Sequence, residues 1–182
     1  MNVFQDLLYK LSFKYSPSFY QEEREKDASS VPPRWCVKKY GNISVKNFNI
    51  NSKSGEIFSA TYFENFIRIS NENTPVIIFF YGNSMDNKYP IHYMNYCSSL
   101  AFKTEAVVIA INYLQPPVYK FPVALYNAVE AIKWVKQSCP YWQINNDKVF
   151  LFGDCMGANT ALSAAMIIRD EFWNLSLAGI IL

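Results

Sequence analysis

The apolar positions of this chain change their period along its length, and each change marks a predicted element. Val3, Phe4, Leu7, Leu8 and Leu11 recur at helical spacing and predict an amphipathic helix over residues 3 to 14 that packs on its own domain. Only Lys10 and Lys14 lend it basic charge, which argues against a membrane-surface helix. From Ser16 to Arg34 the chain turns polar. A solvated charge run, Glu22 to Asp27, leads into Ser29-Ser30-Val31-Pro32-Pro33, the composition of a loop or hinge. Residues 1–40 are therefore expected to be a cap-like helical segment with a linker, and residues 41–182 the main body.

In the main body the pattern first alternates. Ile43, Val45, Phe48 and Ile50 punctuate one strand, and Ile57, Ser59, Thr61 and Phe63 a second, with a hairpin turn at Ser52-Lys53-Ser54-Gly55-Glu56. The third strand, Val76 to Phe80, is continuously apolar, as suits a strand buried on both faces of a parallel sheet. Strand and helix then take turns: a helix over Tyr93 to Lys103, a strand over Ala106 to Tyr113, a helix over Val123 to Gln137. A strand over Lys148 to Phe152, a helix over Met156 to Phe172 and an apolar strand over Leu177 to Leu182 complete the series. This alternation predicts an α/β fold, a mostly parallel sheet flanked by helices.

Composition narrows the function classes. The 182 residues are 51% hydrophobic and 18% charged, the balance of a folded domain. The net charge of +2 is scattered, so no nucleic-acid partner is expected. The 13 Tyr and 14 Phe predict an aromatic-rich core and leave room for an apolar pocket. Cys36, Cys97, Cys139 and Cys155 form no Cys-x-x-Cys pair, and His92 is the sole histidine, so neither a metal site nor a cofactor is expected. The N-terminus lacks a cleavable signal pattern, and no run nears about 18 apolar residues, the length of a membrane span. Reduced thiols in a cytoplasmic chain are the corresponding expectation.

The chemistry concentrates where the strand KVFLF gives way to a helix, at Gly153-Asp154-Cys155-Met156-Gly157. Gly-x-nucleophile-x-Gly between strand and helix is the pattern of a nucleophile elbow. Its central residue occupies a strained conformation that large neighbours at Gly153 and Gly157 would obstruct. The helix N-terminus beside Cys155 favours negative charge there. A glycine-rich turn holding an inert, buried cysteine has the same short pattern; the strand–turn–helix setting favours the elbow.

With this motif the chain resembles the hormone-sensitive-lipase-like branch of the α/β-hydrolases, the fold-3 esterases that include arylacetamide-deacetylase-type enzymes. That branch carries GDSAGGN; Gly153 to Asn159 is GDCMGAN. Its YRLAPE-type stretch, running through phenylalanine-proline into an alanine-rich helix, is matched by NYLQPPVYKFPVALYNAVEAIKWV from Asn112 to Val135. Tyr113, Pro117, Phe121, Pro122, Ala124, Leu125, Ala128 and Trp134 coincide. The resemblance extends from about Val45 to Leu182. It implies an esterase in which Cys155 stands for the serine nucleophile, and Tyr81-Gly82-Asn83-Ser84 for the HGGG oxyanion loop. The N–H groups of Asn83, Ser84 and Met156 would then form the oxyanion hole for a small, apolar carboxylic ester or amide. Leu114 stands where the family has arginine, and Asn127 where it usually has aspartate.

In this class the catalytic acid and histidine follow the nucleophile. Past Gly157 the chain offers one helix and one strand, with Asp170 and Glu171 at the helix end. His92 lies upstream and is not expected to act as the base. The chain is therefore expected to be the N-terminal part of a larger hydrolase, lacking the last strands and helices and inactive or incomplete as it stands. The alternative is a non-catalytic relative serving as a ligand-binding or protein-interaction module. Leu177 to Leu182, unblunted by charge or proline, is a candidate edge for self-association.

Overall fold

A computed structural model describes residues 42–67, 71, 73–82, 91–115, 118–172 and 174–182; for 91 and 92 it describes the backbone alone. The expected N-terminal helix and linker, Cys36, and the loop residues Asn83 and Ser84 lie outside the described residues.

The hairpin comes first, β1 (Ile43–Asn51) and β2 (Ile57–Asn65). Its turn closes as the residue types dictate: Ser52 N–H donates to Glu56 O at 2.8 Å, and Gly55 takes the positive φ of 97° that side chains disfavour. Then follow β3 (Val76–Phe80), α1 (Ile91–Thr104), β4 (Val107–Asn112), α2 (Val123–Trp142), β5 (Val149–Gly153), α3 (Met156–Glu171) and β6 (Gly179–Ile181). The six strands lie in the order β1-β2-β4-β3-β5-β6. β1, β2 and β4 pair antiparallel; β3 is parallel to both β4 and β5, and β6 is parallel to β5.

Register explains why β3 and β4 are apolar throughout. Tyr62, Ile109 and Ile78 are cross-strand neighbours on one face, and Thr61, Ala110, Phe79 and Phe152 on the other. α2 covers the first face by laying Trp134 and Trp142 on Phe48, with Trp142 also on Tyr62. α1 covers the second with Tyr93 and Tyr96 on Phe79. The central strands are thus buried from both sides.

Two elements depart from the sequence expectation. α2 does not stop at Gln137 but continues through Pro140 to Trp142, then closes on Gln143 in the left-handed region at φ 56°. The half-buried aromatic cluster of Trp142, Trp134 and Phe48 on buried Tyr62 outweighs the one backbone bond that a proline in the last turns forgoes. The expected strand over Leu177 to Leu182 shrinks to three residues and is not covered on both faces. Ile180 is 39% and Leu182 60% exposed, and among the described residues β6 has a strand neighbour on one side only.

Candidate active site at the strand–helix elbow

The last residue of β5 is Gly153 and the first of α3 is Met156, so Asp154 and Cys155 alone make the turn. Cys155 adopts φ 50°, ψ −119°, a conformation that costs a non-glycine residue about 1–3 kcal/mol unless its surroundings impose it. They do. Gly157 N–H donates to Asp154 O at 2.8 Å and Ala158 N–H to Cys155 O at 3.1 Å, closing the helix start around the turn. A Cβ on Gly153 would lie 2.6 Å from the Ala158 nitrogen, and one on Gly157 2.7 Å from the Tyr81 carbonyl carbon. Both glycines are therefore obligatory for α3 to approach β3 and β5 this closely. A Cβ on Gly82 would stand 2.7 Å from Cys155 Cβ, so the retained glycine of the loop after β3 is what lets the nucleophile position sit over it.

Cys155 is exposed, whereas Cys97 and Cys139 are buried. Cys155 is thus not the buried cysteine of the alternative reading. The thiol stands at the C-terminal end of the parallel strands, where open α/β sheets place their ligands. Beside it, the first-turn N–H of Met156 is among the donors that no helix satisfies internally.

Asp154 ties the elbow to the loop after β3. Its Oδ1 accepts the Gly82 N–H at 2.6 Å, and its Oδ2 lies 2.8 Å from the Tyr93 hydroxyl, itself 2.6 Å from Gly82 O. Burial pushes the Asp154 carboxyl above the ordinary aspartate range, against the opposing pull of the Gly82 N–H and the Tyr93 O–H. The carboxylate is thus committed to holding a loop.

Tyr113 and Tyr81 form the neighbouring wall, their rings 5.5 Å apart. The Tyr113 hydroxyl donates to Tyr81 O at 2.7 Å, and the Tyr81 hydroxyl to Asn112 Oδ1 at 2.6 Å. Burial pushes Tyr113 up to about 12, with Asp154 and Cys155 adding to the rise against a hydrogen bond with Thr160. Tyr113 therefore stays protonated and is no base at neutral pH. Asp170 pairs with Arg169 at 2.6 Å near the far end of α3, roughly 20 Å along the helix from Cys155, at the usual rise per residue. Glu171 adjoins it. His92 falls in the first turn of α1.

Leu114 and Asn127, far apart in the sequence pattern, meet each other. The Leu114 N–H donates to Asn127 Oδ1 at 3.1 Å, and Asn127 is 1% exposed. Sequence reasoning had named both departures without their contact. It had also missed Tyr93, for which spacing gave no signal, and it gave Tyr113 no role. No three His, Cys, Asp or Glu side chains gather as a metal site among the described residues. No helix among them is long and apolar enough to cross a membrane.

Residues 78–182 match the family described as alpha/beta hydrolase fold, a span that includes β4, the elbow and all three helices. Gibberellin receptor GID1 of Oryza sativa subsp. japonica is 34% identical over 105 residues, 55% of this chain and 29% of that protein. An arylesterase of Saccharolobus solfataricus is 34% identical over 72 residues, 40% of this chain and 24% of that one. A solved structure of fungal esterases from Rhizomucor miehei superposes with a TM-score of 0.74 at 20% identity, covering all of this chain and 53% of that one, a likeness of fold. In these matches the chain spans about half or less of its counterparts' length. From a glycine-locked turn, a strand order carried through β6 and a match over more than half its residues, the chain belongs to the α/β-hydrolase fold family.

Proposed function

We propose that this chain carries the nucleophile and oxyanion part of a carboxylic ester or amide hydrolase site, with Cys155 as nucleophile. The supporting observation is the exposed thiol held at φ 50° by three glycines on which no Cβ fits. Cys155 Sγ attacks the acyl carbonyl and the alcohol leaves with a proton, giving a thioester; water then releases the acid and restores the thiol. The N–H groups of Met156, Asn83 and Ser84 are the proposed donors to the developing oxyanion. On this reading the chain acts in the cytoplasm on small apolar esters. A relative named as an arylesterase supports that substrate class.

His92 is the single histidine, upstream of the elbow, and Tyr113 and Asp154 are engaged elsewhere. Loss of triad members costs on the order of 10³–10⁶ in rate in such sites. The 182 residues are accordingly assigned acylation with little turnover. Incubation with short-chain nitrophenyl esters should leave an acyl adduct on Cys155, seen by mass spectrometry and absent from Cys155→Ala. Equal nitrophenol release and equal acylation in the two proteins would sink the assignment. The second reading, a non-catalytic ligand-binding module, draws on the relative named as a gibberellin receptor. Ligand binding unchanged in Cys155→Ala, with no adduct in the parent, would favour it.

A further inference from the structure

Tyr81 and Gly82 follow β3, and two successive peptide groups there are gripped by side chains from other segments. In the first, the Tyr81 carbonyl accepts the Tyr113 O–H at 2.7 Å, while the Gly82 N–H at the opposite end of the same group donates to Asp154 Oδ1 at 2.6 Å. In the second, the Gly82 carbonyl lies 2.6 Å from the Tyr93 hydroxyl. A carbonyl has no proton to give, so Tyr93 is the donor in that contact. A trans peptide is planar, and its C=O and N–H point to opposite sides. Holding the Gly82 carbonyl therefore sets the direction of the N–H at the other end of that group.

The position of the hydroxyl is itself fixed by packing. Tyr93 is 7% exposed, and its ring lies 5.4 Å from that of Phe79 in β3 and 5.3 Å from that of Tyr81. Gly82 in turn lies hard against the nucleophile position, where a Cβ added to it would stand 2.7 Å from Cys155 Cβ. A tilt of the peptide that starts at Gly82 is accordingly felt beside the thiol.

We infer that Tyr93 is a positioning residue for acylation of Cys155: by holding the Gly82 carbonyl, its hydroxyl aims the N–H of the same peptide group at the oxyanion that forms when the thiol attacks. The inference rests on the reading of Cys155 as nucleophile. Tyr93 acts through one rigid peptide and not on the ester itself. Oxyanion donors work by being in place before charge develops, so a misaimed donor slows the chemical step and leaves ester binding as it was.

Acylation by nitrophenyl acetate is followed as nitrophenol release and adduct mass, over a range of ester concentrations, in the parent, Tyr93→Phe and Cys155→Ala. Tyr93→Phe keeps the ring and removes the hydroxyl. Its maximal acylation rate should fall about 10- to 100-fold with the half-saturating ester concentration unchanged. Alkylation of Cys155 by iodoacetamide, which forms no oxyanion, should keep the parent rate. Tyr93→4-aminophenylalanine returns an N–H donor to the same place and should recover acylation, which a loss due to misfolding or poorer ring packing would not predict. Equal maximal rates in the parent and Tyr93→Phe, a loss confined to the half-saturating concentration, a parallel loss of alkylation, or no recovery with the amino variant would each overturn the inference while the nucleophile reading stands. A parent acylated no more than Cys155→Ala would overturn that reading, and the inference with it.

Discussion

Tyr93 has one hydroxyl proton and two close oxygen neighbours, Gly82 O and Asp154 Oδ2. If Asp154 is ionised, both compete for that proton; if Asp154 is protonated, it donates to Tyr93, which donates to Gly82. The raised carboxyl of Asp154, driven first by burial, agrees with the second arrangement gaining weight in the fold. Its folded pKa lies above the unfolded one, so its contribution to stability is fully present below the unfolded value and is lost as pH rises through the folded value. Asp154→Asn imitates the protonated form. Between pH 4 and pH 8, urea unfolding should show its stability rising relative to the parent; a relative fall would show the carboxylate to be the favoured form. Gly157→Ala is the harsher change. Its methyl would strike the Phe80 carbonyl, and such backbone clashes cost more than about 2 kcal/mol, to be read as a lower urea midpoint at an unchanged slope.

Among the elements, α3 owes its closeness to the sheet to a small-residue face. Ala161, Ala164 and Ala165 are buried there beside Ile168. Ala161→Leu should therefore destabilise by about 1–3 kcal/mol through overpacking, whereas Leu151→Ala, in the strand beneath, should cost about 2–5 kcal/mol through the space it opens. Chemical denaturation of both variants tests the pair. The elbow was legible from residues because Gly153, Cys155 and Gly157 are local and their roles are steric. The parallel strands were legible because burial on both faces leaves no polar position in β3. The length of α2 was not legible, since Trp142 is held by Phe48 and Tyr62, partners about 80 residues or more away in sequence. Nor was the brevity of β6, because an apolar run looks alike whether a strand has one neighbour or two. Tyr93 escaped for a further reason: its role is defined by two oxygens from other segments.

At the scale of the whole sheet, β1 and β6 are the two edges among the described residues, the first nine residues long and the second three. Ile180 and Leu182 are exposed at the β6 edge, which natural sheets usually blunt. Self-association through it should show as a concentration-dependent mass in sedimentation, reduced by Ile180→Lys; a monomer at every concentration for both proteins would refute it.

The contact between Leu114 and Asn127 also limits which side chains this corner of the fold accepts. An aspartate at 127 would place a charge where almost no solvent reaches, supported by a single amide N–H. Because Asn127 has no ionisable group, its bond to the Leu114 N–H does not titrate.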